Sequence, residues 1–252
     1  MLPETPEERE LKRKRLELAK LESELAEREL ELATVQGELA AFERHYLRVV
    51  GVRYAQLDEL GARIAETSAA RNPQDTQARQ EAAQAHERAR ESAKAIGALD
   101  VSLDARPFAP SDSLKKLYRE VTKAVHPDLA SNEEERAKRG RLMAEANKAY
   151  AECDEARLEA ILREWKFSPD SVKGTGTEAE LVRTIRRIAR VEERLRIIAG
   201  EIENLRASDL FKLRLKVDEA KSRGRNYLDE MAARLDKKIG DAKERTRQTL
   251  KA

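Results

Sequence analysis

Ser113-Leu114-Lys115-Lys116-Leu117-Tyr118-Arg119-Glu120-Val121-Thr122-Lys123-Ala124-Val125-His126-Pro127-Asp128 is the stretch that decides how the rest of the chain is read. Leu114, Leu117, Tyr118, Val121 and Val125 fall at i, i+3, i+4, i+7 and i+11, which places five apolar side chains on one face of a helix. Lys115, Arg119 and Lys123 follow at i, i+4 and i+8 on another face with Lys116 beside them, so a line of positive charge runs towards His126. Pro127 has no backbone N–H and clashes with a continuing helix, and it drives His126 into extended geometry. His126 and Asp128 are therefore expected to project from a rigid turn, ahead of a second helix from about Glu133 to Glu152.

From Ser111 to Lys166 the chain resembles the J-domain proteins, the DnaJ-type co-chaperones of DnaK-type heat-shock ATPases. The likeness is ungapped. It is carried by His126-Pro127-Asp128, by the apolar and basic positions before it, and by Glu145-Ala146-Asn147-Lys148-Ala149-Tyr150, which is similar to the family's Asn-x-x-Tyr run. Met143 stands where a Phe is usual, and Glu155 to Trp165, with Leu158, Ile161, Leu162 and Trp165 on one face, resembles the family's fourth helix.

The chain departs from the family at several places. No first helix with Tyr-x-x-Leu-Gly precedes Ser111, Ala124 occupies a commonly basic position, and Leu129-Ala130 replaces the Arg-Asn that often follows the tripeptide. The resemblance implies that Lys115, Lys116, Arg119 and Lys123, with His126, Pro127 and Asp128, dock on a DnaK-type ATPase and stimulate its ATP hydrolysis. The chain itself is then no enzyme: it offers His126 and Asp128 no nucleophile, phosphate loop or convergent third group. Asp128 is instead an acceptor suited to an arginine of the partner. Two helices of this size cannot bury their own core. Ile96, Leu99, Val101, Leu103 and Phe108 are expected to cover Leu117, Val121 and Tyr150.

Outside this region the chain reads as long, charged helix. With 39% charged and 4% aromatic residues among 252, little is available for a round core, and extended helical assemblies fit better. A net charge of +2 with acid and base interleaved gives no global pointer to nucleic acid or an anionic membrane. Cys153 is the single cysteine, which excludes an intramolecular disulfide and a cysteine-only metal site and suits a reducing cytosol. His45 and His86 lack ligand-spaced partners and are expected to face solvent, so no metal or cofactor is expected. No apolar run approaches a membrane span, and a soluble, cytoplasmic protein is expected.

Thr5-Pro6-Glu7-Glu8 reads as a helix start. Leu11, Leu18, Leu25, Leu32, Leu39 and Tyr46 then repeat every seven residues, with Lys14 and Arg28 interrupting the companion positions Leu21, Val35, Phe42 and Val49. The register slips by four residues before Val50, Leu57, Leu60 and Ile64, a stutter expected to unwind one helix running from about Pro6 to Ala70. Arg71-Asn72-Pro73 breaks it. The Ala-rich helix from Gln74 to Leu99 is expected to lie back, antiparallel, on the Val50 to Ile64 end. The Leu11 to Leu39 half is left available to a second copy, as a homodimer. After a polar linker rich in turn formers, Leu181 to Leu205 and Leu210 to Ile239 mark further helices, arranged either as a second hairpin or as one broken rod. The basic run Arg183 to Arg190 precedes Glu192, Glu193, Glu201 and Glu203 and reads as a solvated coiled-coil face; a nucleic-acid reading rests on it alone.

The expected fold is all-α: a coiled-coil hairpin over residues 1–100, a J-domain-like module over 101–168, a linker over 169–177 and a coiled-coil segment over 178–252. Two functions compete. One is a co-chaperone whose coiled coils choose an unknown client or a location; the other is a structural coiled-coil scaffold with an inert J-like module. The intact tripeptide and its basic stripe favour the first, because packing alone gives no reason for them.

Overall fold

Residues 5–97, 108–130, 132–166 and 176–251 are described by a computed structural model. The fold is all-α, with no strand among the described residues, and no helix among them is long and apolar enough to cross a membrane. Contacts group the chain into two compact units, Met1–Glu38 with Phe108–Ser208, and Leu39–Pro107 with Asp209–Ala252. This grouping is not the division in chain order expected from sequence, because distant segments pair within each unit. The expected linker falls, up to residue 175, outside the described residues.

In the first unit, α1 (Pro6–Tyr46) starts where its sequence says it should: Thr5 Oγ1 accepts from Glu8 N–H at 3.3 Å and Glu8 Oε2 accepts from Thr5 N–H at 2.9 Å. Its leucine heptad is buried against α7 (Thr177–Ala207), with Leu18, Leu25 and Leu32 packed among Ile188, Val191, Ile198 and Ile202. The two helices run parallel: Arg15 meets Glu180, Glu29 meets Arg194 and Glu31 meets Arg206. The seam that sequence left open to a second copy is thus filled by α7. Lys14 and Arg28 avoid it by pairing along α1 with Glu17 and Glu31.

A second stripe of α1, with Leu30, Ala33 and Gly37, turns towards a central three-helix module. That module consists of α4 (Asp112–Val125), α5 (Glu133–Ala151) and α6 (Glu155–Lys166). Its core joins Leu114, Tyr118, Val121 and Val125 of α4 to Leu142, Met143, Ala146, Ala149 and Tyr150 of α5 and Leu158, Ile161 and Trp165 of α6. Leu117 is partly buried against it. Among the described residues the cover comes from Leu30 and Ala33 of α1 and from Phe108, so of the expected covering residues it is Phe108 that contributes. Leu99, Val101 and Leu103 lie outside the described residues. Phe108 meets the Tyr150 ring edge-on, centroids 5.8 Å apart. Gly37 makes the room: a Cβ there would stand 2.6 Å from Phe108 Cζ. Thr34 Oγ1 donates to the Leu30 carbonyl at 2.7 Å and accepts from the Tyr150 hydroxyl at 2.9 Å.

In the second unit, α1 passes through a π-helical turn, Leu47–Gly51, into α2 (Val52–Arg71). The widened turn falls where the apolar register slips, so the stutter is taken up locally and Val50 is fully buried. The Ala-rich α3 (Thr76–Gly97) lies antiparallel on α2 as expected, Ser92 Oγ donating to Asp58 at 2.5 Å and His86 facing Glu66 at 3.7 Å. The helices α8 (Asp209–Ser222) and α9 (Tyr227–Lys251) are joined by a turn containing Gly224, whose φ of +72° favours glycine. Val217, Leu228, Met231 and Leu235 from this pair form one cluster with Val50, Phe42 and Tyr46.

Candidate functional site

Ser111 caps α4, its hydroxyl accepting from Leu114 N–H at 3.0 Å. The helix ends as the proline requires: His126 N–H still reaches the Thr122 carbonyl at 3.0 Å, but His126 itself is extended at φ −61° and ψ 131°. Pro127–Leu129 then form one 3-10 turn, and Asn132 caps α5. The sequence placed the turn correctly and its exposure wrongly. His126 is 2% exposed and Asp128 9%, so neither projects into solvent.

What covers His126 is a pair of charged side chains from other helices. Its Nε2 lies 3.0 Å from Glu29 Oε1, and Arg194 of α7 donates through Nε to that same oxygen at 2.7 Å. The backbone N–H of Asp128 donates to His126 Nδ1 at 3.2 Å, so the ring proton belongs on Nε2, from which it is donated to Glu29. Burial works against the Glu29 carboxylate, but the hydrogen bonds from His126 and Arg194 outweigh it and hold the group below its ordinary value. Burial likewise opposes the charge on Arg194, and Glu29 more than compensates, raising that group.

The rest of the turn is held in the same way. Asp128 Oδ1 has Arg136 of α5 at 3.8 Å, an arginine of its own chain where a partner's was expected. Leu129 is 6% exposed and enters the apolar seam of α1 and α7. The Ala130 carbonyl accepts from Arg190 at 2.8 Å. Arg139 binds the end of α4, donating to the Ala124 carbonyl at 3.0 Å and to Glu135 at 3.0 Å while lying 4.5 Å over the Trp165 ring. Burial pulls its pKa down and Glu135 opposes that shift.

The basic stripe is divided. Arg119 meets Glu27 of α1 at 3.3 Å and Lys123 donates to Ser23 at 3.1 Å, whereas Lys115 faces Asp112 of its own helix at 3.6 Å. Lys116 and Lys123 are exposed; Lys115, Arg119 and Pro127 are half-buried. Structure therefore brings His126, Arg119 and Lys123 together with α1, which the sequence did not place here, while Asp128 lies beside Arg136 of α5.

Sequence reasoning also missed Glu29, Arg190 and Arg194. The signal for α1 was present as the Ala26, Leu30, Ala33, Gly37 spacing, a second apolar stripe that implied a second neighbour. The basic run of α7 is partly spoken for: Thr184, Ile188 and Val191 are buried, and Arg190 faces the turn. His45 and His86 are exposed, and no metal-holding group of His, Cys, Asp and Glu occurs among the described residues. No family model, no curated protein and no solved structure matches the chain.

Proposed function

We propose that this chain is a co-chaperone of the J type, docking on a DnaK-type ATPase through Lys115, Lys116, Arg119, Lys123 and His126-Pro127-Asp128, and held closed in the conformation described. The observation that supports this reading is the nature of the cover. The tripeptide meets other helices through Glu29, itself bonded to Arg194, and through Arg136, contacts that water and a competing polar surface can replace, while the apolar stripe of α4 is sealed separately in the module's core. The coiled coils then serve client binding or placement.

One observation favours the scaffold instead. Packing now supplies a reason for His126 and Asp128, since both are bonded within the chain. Single-turnover ATP hydrolysis by a DnaK-type ATPase, with and without the full chain at saturating concentration, separates the readings. The expected result is a stimulation that falls several-fold in the double variant Lys116→Glu, Lys123→Glu at unchanged helicity, because both ammonium groups are exposed and absent from the core. Stimulation indifferent to that reversal overturns the docking face. No stimulation by the chain, or by variants in which Glu29 and Arg194 no longer hold the turn, establishes the scaffold.

A further inference from the structure

We infer that α1 and α7 form a clamp on the His126-Pro127-Asp128 turn, and that opening this clamp is the step that admits a partner. The inference depends on the co-chaperone reading only for the identity of that partner.

The first support is chemical mimicry by α1. It sets the Glu27 carboxylate on Arg119 at 3.3 Å, the Ser23 hydroxyl on Lys123 at 3.1 Å and the Glu29 carboxylate on His126 at 3.0 Å. These are the acceptors that an acidic partner surface would offer to the same donors. Both cannot be satisfied at once, so α1 and a partner exclude each other on this face.

The second support comes from Leu129 and Ala130, the two residues at which the chain departs from the Arg-Asn of the family it resembles. Leu129 lies in the seam among Leu25, Leu32, Ile188 and Ile198. Ala130 is fully buried with its carbonyl on Arg190. An arginine at 129 would have to bring its guanidinium into that apolar seam, at a large desolvation cost. The departures are thus located where the clamp needs them.

The third is energetic balance. Desolvating Glu29 and Arg194 offsets much of their mutual attraction, so a buried latch of this kind contributes little net stability. A partner with differential affinity for the open form can therefore shift the equilibrium.

Diethyl pyrocarbonate, which acylates accessible imidazole nitrogens, reads the clamp directly in the full chain, with exposed His45 as the internal reference. The variants are Glu29→Gln, Arg194→Gln and Leu129→Asn, none of them in the docking face. His126 is expected to react at least tenfold more slowly than His45 in the wild type, and to gain about tenfold in the variants that still melt cooperatively. Stimulation of a DnaK-type ATPase should rise in parallel, since apparent affinity scales with the open fraction. If the variants fail to fold, the wild-type ratio of His126 to His45 decides alone. His126 as reactive as His45 in the wild type, or equally protected in every folded variant, overturns the clamp. Exposure of His126 without ATPase stimulation leaves the clamp standing and removes the co-chaperone reading. Equal stimulation by wild type and by variants with His126 exposed removes the clamp and leaves that reading intact.

Discussion

Two stretches of α1, adjacent in sequence, meet the α4–α6 module by different physics. Around Leu30, Ala33 and Gly37 the contact is hydrocarbon and aromatic ring, extended by the Tyr150 hydroxyl bond to Thr34. Around Glu29 it is a buried carboxylate, which accepts from the His126 ring and, at the same oxygen, from Arg194 of α7. The apolar contact gains with every Å² removed from water and loses little with pH or salt. The charged contact starts from a desolvation debt and depends on ionisation. The first can hold the module to α1 permanently; the second can be released without dissolving the fold.

That contrast is most severely tested by Tyr150, whose ring lies 4.6 Å from Tyr118 and edge-on to Phe108. Tyr150→Ala should destabilise the first unit by about 3–5 kcal/mol, the range for aromatic-to-alanine changes in a core. The shift in urea midpoint, corrected for any change in slope, measures it. A cost smaller than that of any Glu29 variant would reverse the assignment of roles.

Next in size is Glu29 itself. Glu29→Gln should cost about 2 kcal/mol at neutral pH, the scale for a lost hydrogen bond to a charged group. Its folded pKa lies below the ordinary 4.5, so the stabilisation is present above that value and disappears as pH falls through the depressed folded value. Urea midpoints of wild type and variant should therefore differ at neutral pH and converge in acid. A difference that persists unchanged at acid pH would mean that shape, not charge, holds this contact.

The smallest effect expected is at Gly37. Alanine is the better helix former by about 1 kcal/mol, yet Gly37→Ala should destabilise by about 1–2 kcal/mol because the new methyl displaces Phe108. Pairing it with Phe108→Leu should recover part of the loss. A stabilising Gly37→Ala would show that Phe108 contributes nothing to the apolar contact.

The α4 stripe, the break at Pro127, the capped start at Thr5, the stutter before Val50 and the return of the Ala-rich helix were all legible, because each is a local pattern of period, cap or breaker. The position of α7 was not. Its heptad and that of α1 each announce a partner, but hydrophobic seams carry little address, and nothing local links Leu25 to Ile198 across the intervening chain. Burial of His126 was illegible for the same reason: it depends on Glu29 and Arg194, and the surrounding sequence is crowded with other acids and bases. The departure at Leu129 was visible as a mismatch to the J-domain family, but the apolar seam that receives it could be seen only in three dimensions.

The parallel pairing of α1 with α7 also sets an order of events during synthesis. α1 and the whole of α4 to α6 leave the ribosome first, and Arg190 and Arg194 are made only after residue 166, the last of the module. Chain growth runs at about 5–20 residues per second, so α7 is completed roughly 2–8 s after the module. For that interval a nascent chain carries the His126-Pro127-Asp128 turn with the Glu29 half of its cover and without the arginine half.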